Sequence, residues 1–293
     1  MAKLVSIKKL MQDAYKGHYA VAHININNLE WIKAVLEAAQ EAKTPIILGV
    51  SEGAGKYMNG FKNIVAMVLN SMDYQKISVP VCLHLDHGSY NAAVECLEAG
   101  FSSVMYDGSS SPIDENISKT KMIVALAKKK NASVEGEVGG IGGEEDGKAS
   151  MGEVADVAQC AKLAKTGIDC LAAGIGNIHG VYPKGWKGLN FDVLTKISQT
   201  VKMPLVLHGG TGIPDIQVKK AISLGVCKVN VNTECQIAFA NATAVYTKQN
   251  KNDLKKSANK VFDPRKLLKP GCAAIKAKCI EKFNVFGCVN KAK

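Results

Sequence analysis

The run VPVCLHL occupies residues 79–85 and is one of eight short apolar runs, each followed by a longer amphipathic stretch. In chain order the runs are YAVAHI (19–24), PIILGV (45–50), VPVCLHL (79–85), FSSVMY (101–106), ASVEGEV (132–138), DCLAAGI (169–175), MPLVLHG (203–209) and VCKVNV (226–231). Near-continuous apolar strands separated by helices indicate parallel strands covered on both faces. Eight such units in about 230 residues predict a closed (β/α)8 TIM barrel of the α/β class.

The segments around the eight units support this fold. A doubly wound open sheet is the alternative, but it would place G-x-G-x-x-G after its first strand, where this chain has NINNLE (25–30). The segment before the first strand begins with a capping residue, Ser6, and ends at Gly17, which predicts a lid helix on the N-terminal face. After residue 247 the pattern is helical again. We therefore expect a single barrel domain over residues 1–293 with a C-terminal helical extension.

The composition excludes several other classes of protein. The chain has 293 residues, of which 47% are apolar and 22% charged, so it can bury a sizeable core. It contains neither a membrane-spanning apolar stretch nor the pattern of a signal peptide, and we expect a cytoplasmic protein without membrane contact. The nine cysteines are an odd number without a C-x-x-C pair, which indicates reduced core residues.

The net charge of +11 raises the alternative of binding to nucleic acid or another anionic polymer. Nucleic-acid readers usually depend on arginine and interleaved aromatic residues, whereas Arg265 is the only arginine here and the lysines are spread along the chain. We therefore expect a solvated, lysine-rich surface and no required nucleic acid. Binding of an anionic polymer by this surface stays open as a second activity.

Polar residues stand where the predicted strands end, which is where barrel enzymes build their sites. Unpaired polar groups are costly in a core, so this ring indicates a catalytic rim rather than packing. Its members are Asn25, Ser51, Asp86, His87, Asp107, Glu135, Glu137, His179, His208, Asn230 and Asn232.

Three of the six histidines, His87, His179 and His208, follow the third, sixth and seventh strands, each beside a glycine. Three imidazoles from different strands make a metal site with an open fourth position, which is typical of catalytic zinc. His84 competes for the first position. On a regular strand, however, it shares a face with Asp86 while His87 points away, so we expect His84 and His87 not to bind the same ion.

Six separated motifs carry a family resemblance: LHLDHGS (83–89), VEGEVGGIGGEEDG (134–147), GNIHG (176–180), LVLHGGTGIP (205–214), VNVNTECQIA (229–238) and DPRKLLKPG (263–271). Together they resemble the class II, metal-dependent fructose-1,6-bisphosphate aldolases, in the subgroup that also contains tagatose-1,6-bisphosphate aldolases. The motif AHININN (22–28) departs from the family pattern, because Ile24 stands where an aromatic residue is common. The resemblance implies reversible cleavage of fructose 1,6-bisphosphate to dihydroxyacetone phosphate and glyceraldehyde 3-phosphate in glycolysis and gluconeogenesis. Tagatose 1,6-bisphosphate is the alternative substrate.

The cleavage leaves carbanion character beside a carbonyl and so needs an electron sink. A lysine Schiff base and a divalent metal ion are the two routes. The sixth strand lacks a lysine, and Lys228 in the eighth strand is placed either for a Schiff base or for a structural ion pair. We expect the metal route, with one catalytic zinc ion per subunit.

The resemblance also implies roles for three acidic residues. Asp86 corresponds to the acid/base that moves the proton of the C4 hydroxyl, and orientation of a ligand is its alternative role. Glu145, in a glycine-rich loop over residues 139–152 that we expect to be mobile, corresponds to the group that exchanges a proton with dihydroxyacetone phosphate; a solvated acidic loop is the alternative. Glu137 corresponds to an alternative zinc ligand.

Phosphate recognition is expected from glycines that permit close backbone approach and from the loops after strands seven and eight. Helix capping is an alternative role for Asn232 and Thr233. Arg265 offers a bidentate fork for the second phosphate, and the resemblance places that phosphate in a neighbouring subunit; a surface ion pair with Asp263 is its alternative. A homodimer or homotetramer is therefore expected, and a monovalent cation, Na⁺ or K⁺, near the phosphate is left open. The expected substrate-binding residues are Asn25, Ser51, Gly180, Lys184, Gly209, Gly210, Thr211, Asn230, Asn232, Thr233 and Arg265.

Overall fold

Eight parallel strands close into a barrel in the computed structural model, which describes residues 2–145 and 148–292 apart from the side chains of residues 145 and 148–150. Each barrel strand overlaps one predicted run, so the predicted TIM barrel is confirmed. The strands follow one another around the barrel in chain order. They are β1 (Val21–Asn25), β2 (Ile46–Val50), β3 (Val81–Gly88), β4 (Ser103–Tyr106), β5 (Ser133–Val138), β8 (Cys170–Ala173), β10 (Leu205–Leu207) and β11 (Val226–Val231).

Helices cover the outside of the barrel and bury apolar side chains in the hydrophobic core. In α2, for example, Ile32, Val35 and Leu36 are fully buried. Such spacing of apolar side chains places them on one face of a helix. The covering helices are α2 (Leu29–Glu41), α3 (Glu52–Tyr57), α4 (Phe61–Tyr74), α5 (Tyr90–Ala99), α6 (Ile113–Lys129), α7 (Val157–Ala164), α8 (Phe191–Val201), α9 (Asp215–Ser223) and α10 (Thr233–Gln249).

The N-terminal helix α1 (Ile7–Gly17) lies across the end of the barrel where the strands begin. The N–H groups of Val5 and Ile7 donate to the carbonyl of Val81 at 2.9 Å and to Ser133 Oγ at 3.0 Å, and these acceptors open β3 and β5. Ser6 caps the helix as predicted. Gly17 is its last residue, and the left-handed position belongs to His18, with φ of 50°.

The C-terminal extension is helical, as predicted. It comprises α11 (Lys251–Lys255), α12 (Pro264–Leu267) and α13 (Lys269–Phe286). Helix α13 packs against α2, α10 and β1. Ile275, Cys279 and Phe283 are fully buried in these contacts, so the extension is part of the packed structure around the barrel.

The glycine-rich segment 139–152 is more regular than the loop expected from the sequence. Strands β6 (Gly142–Glu145) and β7 (Lys148–Ser150) pair antiparallel, and β6 also pairs in parallel with β9 (Ile178–His179). Gly143 makes this pairing possible, because it has φ of +90° and an added Cβ would lie 2.2 Å from the carbonyl oxygen of His179. The small sheet therefore joins the acidic segment to a predicted metal ligand.

All nine cysteines lie within the described ranges and none of them is in a disulfide, as expected. The only one that is not fully enclosed is Cys272. Among the described residues, the helices include none with both the length and the apolar character needed to span a bilayer.

Candidate active site

A polar cavity opens where the barrel strands end. Nine of its lining residues were predicted from the sequence. Glu144 and Gln236 were not predicted. Glu144 belongs to a run of three acidic residues. Gln236 lies one helical turn after Asn232, and this spacing on a helix could have indicated that both residues face the cavity. The lining residues are Asn25, Asp86, Glu144, His179, Gly180, Gly209, Thr211, Asn230, Asn232, Thr233 and Gln236.

The three predicted histidines meet beside this cavity. His87, His179 and His208 each offer a ring nitrogen, and these three nitrogens lie within 4.8 Å of one another. The ring centroid of His87 is 4.8 Å from that of His179 and 4.4 Å from that of His208. Three imidazoles from separate segments of the chain therefore meet at one point.

His87 reaches this point through an unusual backbone conformation. Its φ is +47°, and the pairing of β3 with β4 shifts register between Leu85 and Gly88. An irregularity of this kind re-aims a side chain. His84, on the regular part of β3, lies in another group with His23 and Asp86, 2.8 Å from Ser103 Oγ.

Carboxylates hold two of the three imidazoles. His87 Nδ1 lies 2.9 Å from Asp107 Oδ2, and His208 Nε2 lies 2.8 Å from Glu135 Oε1. A carboxylate accepts a hydrogen bond from one ring nitrogen, which selects the tautomer whose lone pair is on the other nitrogen. The donor set therefore fits a divalent transition metal.

The pKa shifts of His208 and Glu135 indicate a neutral imidazole and an ionised carboxylate. Burial lowers the pKa of His208, and the nearby His87 adds to the effect, so His208 is neutral. Its lone pair is then on Nδ1, which lies 3.1 Å from Asn230 Nδ2. Burial alone would raise the pKa of Glu135, but Lys228 and His208 hold it well below its ordinary value. Glu135 is thus an ionised acceptor inside the barrel.

Lys228 ends in an ion pair. It is fully buried, and its Nζ lies 2.8 Å from Glu135 Oε2. Of the two roles that the sequence left open for this lysine, the geometry favours the structural one, because a Schiff base needs an unprotonated amine that can reach the substrate.

Asp86 lines the cavity at the end of β3, where two amides hold its carboxylate. Asn25 Nδ2 donates to Oδ2 at 2.9 Å and Asn230 Nδ2 donates to Oδ1 at 3.1 Å. Burial by itself would raise the pKa of Asp86, but the surrounding histidines and Lys228 outweigh it and keep the pKa well below its ordinary value. The carboxylate is therefore ionised.

Glu137 lies near His87, with its Oε2 4.0 Å from His87 Nδ1. Among the described residues this buried oxygen has no hydrogen-bond partner. Burial, together with the carboxylates of Asp107 and Glu135, raises the pKa of Glu137 well above its ordinary value. An additional carboxyl group, favoured in its neutral form, thus lies beside the histidine cluster.

Several predicted residues stay outside the cavity lining formed by the described part of the chain. Ser51 caps α3, and Lys184 is exposed on a loop. The N–H of Gly210 donates to the carbonyl of Asn230 at 2.8 Å, so close packing accounts for that glycine. Arg265 is exposed and pairs with Asp263 at 2.6 Å. The side chain of Glu145 lies outside the described residues.

The fold and site together define a barrel enzyme with a candidate metal centre at the carboxyl ends of its strands. The model of the family "Fructose-bisphosphate aldolase class-II" matches residues 5–291, and the chain belongs to that family. It is therefore an aldolase, a carbon–carbon lyase.

Relatives with known names match this chain over nearly its whole length. The fructose-bisphosphate aldolase of Mycoplasma genitalium is 55% identical over 99% of this chain and 100% of its own length. That of Streptococcus pyogenes serotype M1 is 50% identical over 99% of both chains. Among solved structures, the YdjI aldolase of Escherichia coli K12 has a TM-score of 0.81 at 33% identity and covers 99% of this chain and 100% of its own.

Proposed function

We propose that this aldolase reversibly cleaves fructose 1,6-bisphosphate to dihydroxyacetone phosphate and glyceraldehyde 3-phosphate in the cytoplasm. The observation that carries the proposal is the cluster of three imidazoles within 4.8 Å at the strand ends, two of them backed by carboxylates. The names of the curated relatives favour fructose over tagatose bisphosphate.

His87, His179 and His208 would hold one zinc ion per subunit, with Glu137 as an alternative ligand. A zinc ion bound there supplies a Lewis acid for the substrate ketone. Zinc fits because three imidazoles leave its fourth position open for substrate.

Two carboxylates divide the proton transfers. Asp86 takes the proton of the C4 hydroxyl, the C3–C4 bond breaks with its electrons moving to C3, and the aldehyde leaves. Glu145 then returns a proton to that carbon, which gives dihydroxyacetone phosphate. The amides of Asn25 and Asn230 support the first role, since both donate to the Asp86 carboxylate and fix its orientation.

The phosphate of dihydroxyacetone phosphate would bind where Gly180, Gly209 and Thr211 face the start of α10 at Asn232 and Thr233. The N–H groups at the start of a long helix favour an anion. Ser51, Lys184 and Gly210 would also contribute to substrate binding, and a monovalent cation, Na⁺ or K⁺, would bind nearby. Arg265 would bind the second phosphate from a neighbouring subunit in a homodimer or homotetramer.

Metal removal tests the proposed electron sink. Chelation should abolish cleavage and added zinc should restore it, and a coupled assay with both sugar bisphosphates should show the preference for fructose. Replacement of His87, His179 or His208 by alanine should each remove bound zinc, measured by elemental analysis. Borohydride reduces a Schiff base and so attaches the substrate covalently to the lysine. Inactivation by borohydride in the presence of substrate, with substrate attached to Lys228, would contradict the metal route.

A further inference from the structure

Glu234 connects two segments of the cavity wall. It is the second residue of α10, and its Oε1 accepts a hydrogen bond from the N–H of Gly212 at 2.8 Å. In return, the N–H of Glu234 donates to Thr211 Oγ1 at 3.4 Å. Thr211 and Thr233 both line the cavity, so this reciprocal pair of bonds fixes the turn at residues 211–212 against the start of the helix.

Lys282, on α13, forms a salt bridge with Glu234. Its Nζ lies 2.9 Å from Glu234 Oε1 and 2.7 Å from Oε2. The lysine is only 6% exposed, which is rare unless the charge is paired. Two other charged groups approach the pair: Lys278 Nζ is 3.8 Å from Glu234 Oε2, and the exposed Glu281 is 3.8 Å from Lys282 Nζ.

The position of this pair creates an electrostatic requirement. Glu234 holds the phosphate-facing turn with a carboxylate, and an uncompensated negative charge next to the cavity would repel a phosphate dianion. Charges at a partly buried wall interact through a low effective dielectric constant, so the repulsion would be felt in binding. Lys282, at 2.7 Å, supplies the nearer compensating charge from behind the wall, and Lys278, at 3.8 Å, adds a more distant one.

We propose that Glu234 and Lys282 are positioning residues for phosphate binding: Glu234 fixes the turn that contacts the phosphate, and Lys282 cancels its charge. This inference rests on the proposed function, which places the substrate phosphate at Thr211 and Thr233. Neither residue touches the reacting atoms, so the effect belongs to binding rather than to the chemical step.

The test compares Lys282→Met with the double variant Glu234→Gln/Lys282→Met. Lys282→Met should raise the KM for fructose 1,6-bisphosphate and the Kd for inorganic phosphate by about tenfold, while kcat and zinc content change less than about threefold. In the double variant, the side-chain amide that replaces the carboxylate still accepts from the N–H of Gly212 but carries no charge. Both constants should therefore return to within about threefold of the wild type.

A matched control comes from the same helix. Lys276 also extends from α13, but its Nζ lies 2.8 Å from Glu41 on α2, away from the cavity. Lys276→Met should therefore leave both constants unchanged. Lys282→Arg, which keeps the charge, should restore most of the phosphate affinity.

Two outcomes would overturn the inference. One is a Lys282→Met enzyme with wild-type phosphate affinity. The other is a double variant no better than Lys282→Met, because removal of the charge of Glu234 should remove its repulsion of the phosphate. If Lys282→Met fails to fold, the double variant Glu234→Ala/Lys282→Met removes the acceptor of Gly212 without leaving an unpaired charge, and it must weaken phosphate binding about tenfold. Calorimetry with inorganic phosphate needs no turnover, so it decides the inference even if the wild-type chain fails to cleave fructose bisphosphate and the proposed function falls.

Discussion

His87 departs from a regular strand, and the site depends on that departure. Alternation along β3 predicts that His84 and Asp86 share a face and that His87 points away. The positive φ of 47° at His87 instead brings its ring to the other two histidines. Residue types and their place at strand ends therefore predicted which histidines meet, but not how, because the sequence indicates a left-handed conformation at a residue other than glycine only weakly.

The division of labour between Asp86 and Glu145 is testable at the same scale. Asp86→Ala should lower the cleavage rate by about 10²- to 10⁴-fold, the usual contribution of an acid/base group. It should leave exchange of the dihydroxyacetone phosphate proton with solvent comparatively intact, as followed by NMR in deuterated water. Glu145→Gln should suppress that exchange as well. Equal loss of both reactions in the two variants would show that one group performs both transfers.

Among the elements, the barrel strands were predictable and the small sheet was not. Short apolar runs that alternate with longer amphipathic stretches indicate parallel strands, and each of the eight predicted runs contributes one strand to the barrel. Residues 142–145 contain two glycines and two glutamates, with no periodic apolar pattern. Their pairing depends on contact with Ile178 and His179, more than 30 residues away, so local sequence could not show it.

The contact of this sheet with His179 predicts a role for Gly143. In Gly143→Ala the new methyl group would lie 2.2 Å from the His179 carbonyl oxygen, so β6 and β9 must separate. We expect zinc affinity and kcat/KM to fall at least about tenfold, as measured by metal titration and by the aldolase assay. Gly60→Ala is the matched control, because Gly60 also has a positive φ, of 102°, but has open space around it. It should cost about 1 kcal/mol in stability and leave zinc affinity intact. If both variants have the same zinc affinity, the small sheet does not contribute to metal binding.

At the scale of the whole molecule, the predicted role of Arg265 depends on a second subunit. Arg265 is 88% exposed at its side chain and forms a bidentate contact with Asp263, which caps the short helix α12. An exposed ion pair of this kind contributes little stability. Within the described part of its own chain, Arg265 is not among the residues that line the cavity. A role at the second phosphate therefore requires the barrel of another subunit.

Subunit complementation tests that role. Arg265→Ala should lower kcat/KM for fructose 1,6-bisphosphate by about 10- to 150-fold, the loss expected for a charged hydrogen bond, and spare proton exchange on dihydroxyacetone phosphate, which has no second phosphate. His87→Ala should be inactive because it lacks zinc. The two variants are then unfolded together and refolded. A mixed oligomer contains one site with an intact His87 from one chain and Arg265 from the other. Its cleavage activity should therefore exceed the sum of the activities of the separate variants. Refolding each variant alone controls for recovery. Mixed oligomers, verified by mass spectrometry, that show no added activity would restrict Arg265 to its ion pair with Asp263.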